Sequence, residues 1–157
     1  MPVKILFVCL GNICRSPAAE AVFLNKLRRE GVEDQYIVDS AGTGGWHVGR
    51  LADSRMRKAA LKRGINIESR ARQICATDFQ EFDLVLTMDN SNFADVNSLY
   101  QEIKPTSKVE IRPFLSYAEN TNLLEVPDPY YGGDEGFDDV LDLLDDAVNG
   151  LFICVNQ

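Results

Sequence analysis

The stretch VKILFVCLGNICRSPAAEAVFLNKL, residues 3–27, decides the fold of this chain. Residues 3–8 form an apolar run interrupted by a single lysine, which is typical of a strand buried on both faces of a parallel sheet. Beyond that strand the apolar residues recur at helical spacing. We predict that Ser16 caps this helix, that Pro17 is its first residue and that Gly31 ends it. A strand that turns directly into a helix is the opening unit of an α/β protein.

The rest of the chain repeats this alternation of strands and helices. Further strands are predicted at residues 36–39, 83–87 and 108–111, and further helices at 53–63, 93–99 and 134–153. The pattern predicts an α/β fold of three layers, in which a four-stranded parallel sheet is flanked by helices and residues 1–157 form one domain. Ligands of such folds bind at the carboxyl ends of the strands. Residues 9–16 are therefore the first candidate site.

The composition excludes several classes of protein. The chain has 157 residues, and 24 acidic against 16 basic residues give it a formal net charge of −8. This charge argues against binding to nucleic acid or to an anionic membrane surface. No apolar run approaches the roughly 18 residues of a membrane helix. One histidine and scattered cysteines supply no ligand set for a metal, so we predict no metal and no cofactor.

The cysteines indicate the compartment. Four cysteines are too few for a disulfide scaffold, and the apolar N-terminal run leads into GNICRSP rather than into a cleavage site. We therefore expect reduced thiols and a cytoplasmic location.

Residues 9–16, CLGNICRS, have the features of an anion-binding loop. Backbone N–H groups of a tight turn and the positive end of the following helix point into one concavity. Gly11 and Asn12 tolerate the left-handed conformations of such a turn, and Arg15 supplies a planar fork for two phosphoryl oxygens. The same donors stabilise a thiolate, so Cys9 is a candidate nucleophile, and Ser16 can donate a hydrogen bond to its sulfur.

Each of four other positions allows two interpretations when only the residues are considered. The prolines beside Asp128 fix the direction of its carboxylate, but they also fit a surface turn. Trp46 is either a lid over the core or a wall for an aryl ring. His47 fits a residue at or near the surface better than a catalyst, and Asp89 fits a helix cap better than a ligand contact.

Several segments resemble one known family. CLGNICRS resembles the phosphate-binding loop of the low-molecular-weight protein tyrosine phosphatases. Segments similar to that family follow in the same order along nearly the whole chain: VDSAGTGGWHVG at 38–49, RARQI at 70–74, TMDNSN at 87–92 and VPDPYYGG at 126–133. The family fold is a four-stranded parallel sheet flanked by helices, in agreement with the prediction from periodicity.

The resemblance implies a metal-independent protein tyrosine phosphatase that acts on tyrosine-phosphorylated proteins and on other aryl phosphates. Cys9 would attack the phosphorus and form a phosphocysteine, while Arg15 binds the phosphoryl group. Asp128 would protonate the leaving phenolate and then activate water. The chain would be a monomer or associate weakly with itself.

The resemblance also assigns supporting residues. It implies a phosphate-binding loop made of Leu10, Gly11, Asn12, Ile13, Cys14 and Ser16. It implies pocket walls made of Leu10, Trp46, Tyr130 and Tyr131, and a buried polar network in which Ser40 supports the loop. Cys14 would be the partner of Cys9 in a reversible disulfide, whereas the residues alone also fit a thiol packed under the loop.

Three other functions compete with this hypothesis. A thiol-dependent arsenate reductase of the same fold would need a relay of cysteines, but Cys75 stands alone in its region. An arginine phosphatase of this family tends to carry Thr where Ile13 stands and to lack the pair Tyr130 and Tyr131. A phosphotyrosine-binding module without activity would have no reason to keep a nucleophile, an arginine and an acid together.

Overall fold

The computed structural model describes residues 1–130 and 132–156. It contains a parallel four-stranded sheet of β1 (Val3–Cys9), β2 (Tyr36–Gly42), β3 (Leu84–Thr87) and β4 (Glu110–Pro113), in the order β2-β1-β3-β4. The helices are α1 (Arg15–Arg29), α2 (Ser54–Leu61), α3 (Asp78–Glu81), α4 (Asn90–Ile103) and α5 (Glu135–Val155), with 3-10 turns at Glu33–Gln35 and Phe114–Tyr117. The predicted three-layer α/β fold is confirmed.

The central strand β1 explains why the opening stretch is apolar on both faces. Ile5 and Phe7 face one apolar cluster, which also holds the buried sides of α1, α2 and α5. Leu6 and Val8 face a second cluster on the opposite side of the sheet, with α3 and α4. Residues 5–8 are completely buried as a result, so a single strand serves two cores.

Two predicted boundaries need correction, and one short helix was not predicted. Ser16 does not cap α1: the helix begins at Arg15 behind Cys14, and the Ser16 hydroxyl faces the sulfur of Cys9 instead. Strand β4 lies two residues later than predicted and ends at Pro113, which an edge strand tolerates because one side of it needs no ladder hydrogen bonds. The short helix α3 has four residues, which are too few to show a helical period, so no pattern in the sequence predicted it.

The helix cap at Asp89 is confirmed, since its Oδ1 accepts a hydrogen bond from the Asn92 N–H at 2.8 Å. Asp53 caps α2 in a similar way, accepting from the Arg55 N–H at 2.8 Å. Along the described part of the chain, no helix is both long and apolar enough to cross a membrane.

Candidate active site

The carboxyl ends of β1, β2 and β3 meet at one edge of the sheet, where the loop from Cys9 to Arg15 curls. The loop is held from outside by backbone bonds: Thr43 N–H donates to Cys9 O at 2.9 Å and Asp53 N–H donates to Ile13 O at 2.7 Å. Gly42 allows β2 to approach this closely, because a Cβ there would meet Leu10 O at 2.8 Å. The loop is therefore bound to two other segments.

The sulfur of Cys9 lies in a cradle of hydrogen-bond donors. The Asn12 N–H donates to Sγ at 3.3 Å, and Ser16 Oγ lies 3.0 Å from it. The Asn12 side-chain amide donates to Ser16 Oγ at 2.8 Å, so the Ser16 hydroxyl can direct its proton either to the sulfur or to Ala41 O, which lies 3.4 Å away. Cys9 is almost fully buried. The sulfur therefore has one backbone donor and one hydroxyl group within hydrogen-bond distance.

Asn12 is the central residue of a buried polar network. Its φ of 58° is left-handed, a conformation that Asn tolerates better than most residues. Its side chain also donates to Ser40 Oγ at 3.0 Å and accepts from the Arg72 N–H at 2.9 Å. Ser40 lies beneath the loop, as the resemblance implies, and its hydroxyl donates to Glu20 Oε1 at 2.6 Å.

Glu20 is a member of this network that the sequence did not reveal. Its position on α1 resembles that of an ordinary surface carboxylate, yet burial raises its pKa from 4.5 to about 6, against the hydrogen bonds from Ser40 and Ser69. A half-buried carboxylate and two hydroxyl groups occupy this part of the network.

Arg15 is buried, with 3% of its surface exposed, and its charge is compensated from two sides. Its Nη1 pairs with Asp89 Oδ2 at 2.7 Å and donates to Val126 O at 2.9 Å. Its Nη2 lies 3.8 Å from Asp128 Oδ2. Asp89 thus caps α4 and also holds the arginine, whereas the sequence predicted only the cap.

Asp128 lies on the rim of the site and is partly exposed. Its Oδ1 accepts a hydrogen bond from the Tyr130 N–H at 3.0 Å, and its Oδ2 faces Arg15. Pro129 is buried beside it. The structure therefore brings the carboxylate, which lies 119 residues from the first cysteine along the chain, to the mouth of the loop.

A cavity of about 410 Å³ opens above the Cys9 sulfur. Its lining combines residues of the loop with residues of two other segments: Cys9, Leu10, Gly11, Ile13, Cys14, Arg15, Trp46, His47, Asp128 and Tyr130. Asn12, Ser16 and Ser40 do not line the cavity, because their side chains lie beneath the loop. Tyr131, the other predicted wall residue, lies outside the described residues.

The aromatic wall is formed by residues near the end of β2. Trp46 is 70% exposed and covers Gly44, where a Cβ would overlap its ring. His47 lines the cavity and lies 6.4 Å from the Tyr130 ring, measured between centroids. The sequence predicted His47 at or near the surface. Its neighbour Trp46, a candidate wall residue, was the one sequence feature that indicated a position beside the cavity.

Cys14 lines the same cavity as Cys9, and both are free thiols. Burial, helped by the nearby carboxylate of Asp53, raises the pKa of the Cys14 thiol far above its ordinary value, so Cys14 stays protonated. Within residues 1–130 and 132–156, no group of three or more His, Cys, Asp or Glu side chains is arranged to hold a metal ion.

Fold and site together define a parallel α/β protein with a buried cysteine in the tight loop between β1 and α1 and a carboxylate at the rim of the adjoining cavity. Comparison with known proteins gives the family. The sequence profile described as "Low molecular weight phosphotyrosine protein phosphatase" matches residues 4–157. A protein of that name from Schizosaccharomyces pombe is 43% identical over 152 residues, which are 95% of each chain.

Solved structures agree with this. The Entamoeba histolytica protein tyrosine phosphatase, crystallised with Hepes in the active site, has a TM-score of 0.90 and 42% identity, covering 98% of this chain and 97% of its own. A drosophila arginine phosphatase has a TM-score of 0.93 and 29% identity, with 99% of each chain covered. This chain belongs to the low-molecular-weight phosphotyrosine protein phosphatase family.

Proposed function

We propose that this protein is a protein tyrosine phosphatase that hydrolyses phosphotyrosine and other aryl phosphate monoesters through a phosphocysteine on Cys9. The observation that carries the proposal is the position of the Cys9 sulfur at the floor of the cavity, 3.3 Å from the Asn12 N–H and 3.0 Å from Ser16 Oγ. The named relatives support the same activity, since the yeast protein and the Entamoeba enzyme are described as tyrosine phosphatases.

In the first step, the thiolate of Cys9 attacks phosphorus, the S–P bond forms and the P–O bond to the tyrosine breaks. The loop N–H groups and Arg15 stabilise the phosphoryl oxygens. Arg15 is prepared for this role because Asp89 and Val126 O fix its Nη1, while Nη2 points toward Asp128 and the cavity. These residues supply the compensating charge by themselves, so the proposal includes no metal or cofactor.

The leaving group requires an acid, because tyrosinate is the conjugate base of a phenol with a pKa of about 10. Asp128 donates its proton to that oxygen. In the second step, Asp128 takes a proton from water as the water oxygen attacks phosphorus. The S–P bond then breaks and the Cys9 thiolate is restored.

The walls of the cavity support a preference for aryl phosphates. Leu10 and Trp46 are exposed, at 43% and 70%, and they stand on the rim of the pocket with Tyr130. Apolar and aromatic side chains on the rim of the pocket favour the flat ring of an aryl phosphate over the short side chain of phosphoserine. Tyr131 is proposed as a further wall residue on the resemblance alone.

The remaining parts of the proposal concern the whole protein. We propose a single domain, a monomer or weakly associating chain in the cytoplasm, with tyrosine-phosphorylated proteins as its partners and no nucleic acid or membrane among them. The net charge of −8 supports the exclusion of nucleic acid and anionic membranes as partners, and the free thiols support the cytoplasmic location.

The nucleophile is tested by assaying wild type and Cys9→Ser against phosphotyrosine, phosphoserine and phosphoarginine peptides, with arsenate reduction as a further arm. We expect turnover of the phosphotyrosine peptide by wild type, none by Cys9→Ser, and a trapped phosphoenzyme on Cys9. Cys75→Ser is the matched control, because Cys75 is exposed and does not line the cavity, and it should keep the activity. A preference for phosphoarginine, or a phosphoryl group trapped on another residue, contradicts the proposal.

The acid is tested by the dependence of kcat/KM on the leaving group. Asp128→Ala should slow phosphotyrosine by roughly 10²–10⁴-fold, but slow an ester of an acidic phenol far less, because that leaving group needs no proton. Equal losses on both substrates would show that Asp128 shapes the loop rather than donating a proton.

A further inference from the structure

Arg55, the second residue of α2, joins the phosphate loop to the segment that carries Asp128. Its Nη2 donates to Tyr130 O at 2.9 Å, and its Nε and Nη2 hold the carboxylate of Asp53 at 3.1 and 3.0 Å. Its guanidinium carbon lies 4.7 Å from the centre of the Phe137 ring and 5.6 Å from that of Tyr130. The side chain is therefore fixed by two hydrogen-bonded partners and two aromatic rings.

The bond to Tyr130 acts on Asp128 through the backbone of Tyr130, from its carbonyl across Cα to its N–H, and then through one hydrogen bond. The Tyr130 N–H donates to Asp128 Oδ1 at 3.0 Å, and the Tyr130 carbonyl accepts from Arg55. Holding the carbonyl of this residue limits where its N–H, and with it the carboxylate, can lie. Arg55 itself touches neither Asp128 nor the Cys9 sulfur in any hydrogen bond of the described residues.

At its other end, Arg55 is tied to the phosphate loop. Arg55 binds the carboxylate of Asp53, and the backbone N–H of Asp53 donates to Ile13 O at 2.7 Å. The same carboxylate caps α2. A path of short contacts thus runs from Ile13 through Asp53 and Arg55 to Tyr130.

The segment that carries Asp128 is attached to the site at its start through Val126, and a second attachment is needed to fix the position of Asp128. Val126 N–H donates to Met88 O at 2.8 Å, and Val126 O accepts from Arg15. Asp128 lies two residues later with its side chain 38% exposed. Arg55 supplies the contact on the far side of Asp128, so the carboxylate is held between two attachments to the site.

We propose that Arg55 is a positioning residue for the proton donor, which sets the distance between the Asp128 carboxylate and the leaving oxygen. The inference rests on the proposed function of Asp128. The planar guanidinium is suited to this role because it binds a carboxylate in a bidentate manner, stacks on aromatic rings and keeps one N–H for a carbonyl. A lysine cannot make all of these contacts at once.

The test measures kcat/KM for a series of aryl phosphates whose phenols range from acidic to tyrosine-like. Arg55→Met should slow phosphotyrosine by roughly 10- to 100-fold, the scale of a misplacement of about 1 Å, and slow the ester of the most acidic phenol by less than about threefold. Arg55→Lys should fall between wild type and Arg55→Met. Binding of inorganic phosphate should stay within about twofold of wild type, because the phosphate loop keeps its own contacts.

A double-substitution cycle separates positioning from general stability. In the Asp128→Ala background, Arg55→Met should cost less than about twofold more on phosphotyrosine, since the donor that it positions is already absent. Arg57→Met is the matched control: Arg57 lies on the same helix, and its Nε donates to Ala52 O at 2.9 Å instead. That variant should keep the wild-type dependence on the leaving group.

Equal losses for all phenols, additive losses in the double variant, or the same pattern in Arg57→Met would overturn the role of Arg55. If Arg55→Met does not fold, Arg55→Lys is judged by the same leaving-group dependence. The proposed function is contradicted by a different result: a loss of kcat/KM in Asp128→Ala that is the same for all phenols would show that Asp128 is not the acid. A loss that depends on the phenol in Asp128→Ala, but not in the Arg55 variants, would contradict only the role of Arg55.

Discussion

At the scale of single residues, Arg15 shows how a buried charge is held in place. A guanidinium with 3% of its surface exposed requires compensation, and the ion pair with Asp89 at 2.7 Å supplies it. Asp89 in turn is fixed by its role as the cap of α4. The arginine is thereby held in one orientation, which under the proposed function lowers the cost of ordering it on phosphate binding.

Cys14 carries the first prediction, which concerns oxidation. Peroxide should oxidise Cys9 to a sulfenic acid. The Cys14 sulfur, once it has lost the proton that burial retains on it, should then attack the Cys9 sulfur, release water and form the disulfide. We expect reductant to restore wild type but not Cys14→Ser, whose Cys9 continues to irreversible acids. Recovery of activity and the Cys9–Cys14 peptide are measured by assay and mass spectrometry.

Cys75→Ser is the control for this experiment, because Cys75 is exposed and does not line the cavity. It should recover as wild type does. Equal recovery of wild type and Cys14→Ser, with no cross-linked peptide, would mean that Cys14 only packs under the loop.

At the scale of elements, the packing of α5 depends on close approach to the 3-10 turn at Phe114–Tyr117. Seven apolar residues of α5 are almost completely buried in the core on the α1 side of the sheet: Phe137, Val140, Leu141, Leu144, Ala147, Val148 and Leu151. Gly150 lies where the helix meets Tyr117, and a Cβ there would overlap the carbonyl oxygen of that residue. The contact is between two backbones and leaves no room for a side chain.

Gly150→Ala should therefore destabilise the protein, although alanine favours a helix by about 1 kcal/mol over glycine. Overpacking against a backbone costs roughly 1–3 kcal/mol, and the net loss in the free energy of unfolding should appear in urea titrations. The matched control is Gly136→Ala in the same helix, whose Cβ would meet Pro129 Cβ at an ordinary 3.5 Å. Wild-type stability of Gly150→Ala would contradict this account of the contact.

At the scale of the whole molecule, the polar network beneath the site connects layers that the apolar cores pack separately. Glu20 on α1 accepts from Ser40 on β2, and Ser40 accepts from Asn12 in the phosphate loop. A carboxylate at this junction is held mainly by hydroxyl groups, with Asp39 raising its pKa and Arg72 lowering it. Burial is the largest of these effects, so the charged form of Glu20 is less favoured here than in water.

The pKa of Glu20 predicts a pH dependence of stability. Because the folded value of about 6 lies above the ordinary 4.5, the folded state binds the proton more tightly. This stabilisation is complete below the ordinary value and is lost as the pH rises through the folded value, a change of about 2 kcal/mol. Glu20→Gln has no such proton, so its stability relative to wild type should rise by about that amount across this range.

The measurement is chemical denaturation of both proteins at a series of pH values, with the difference in the free energy of unfolding plotted against pH. Glu102→Gln, which removes an exposed carboxylate on α4, should follow the wild-type curve. Parallel curves for Glu20→Gln and wild type would show that Glu20 does not titrate in this way.

The sequence by itself determined the features that depend only on residues close together along the chain. The apolar run of β1, the turn residues after it and the period of α1 predict a strand, an anion-binding loop and a helix, because all three depend on local propensity and on spacing within residues 3–27. Tertiary structure decided which distant charges and hydroxyl groups serve the loop. Asp89 reaches Arg15 across 74 positions of the chain, and Arg55 reaches Tyr130 across 75. Along the chain such residues resemble ordinary surface charges; they meet because the strand order β2-β1-β3-β4 brings the ends of three strands to one edge of the sheet.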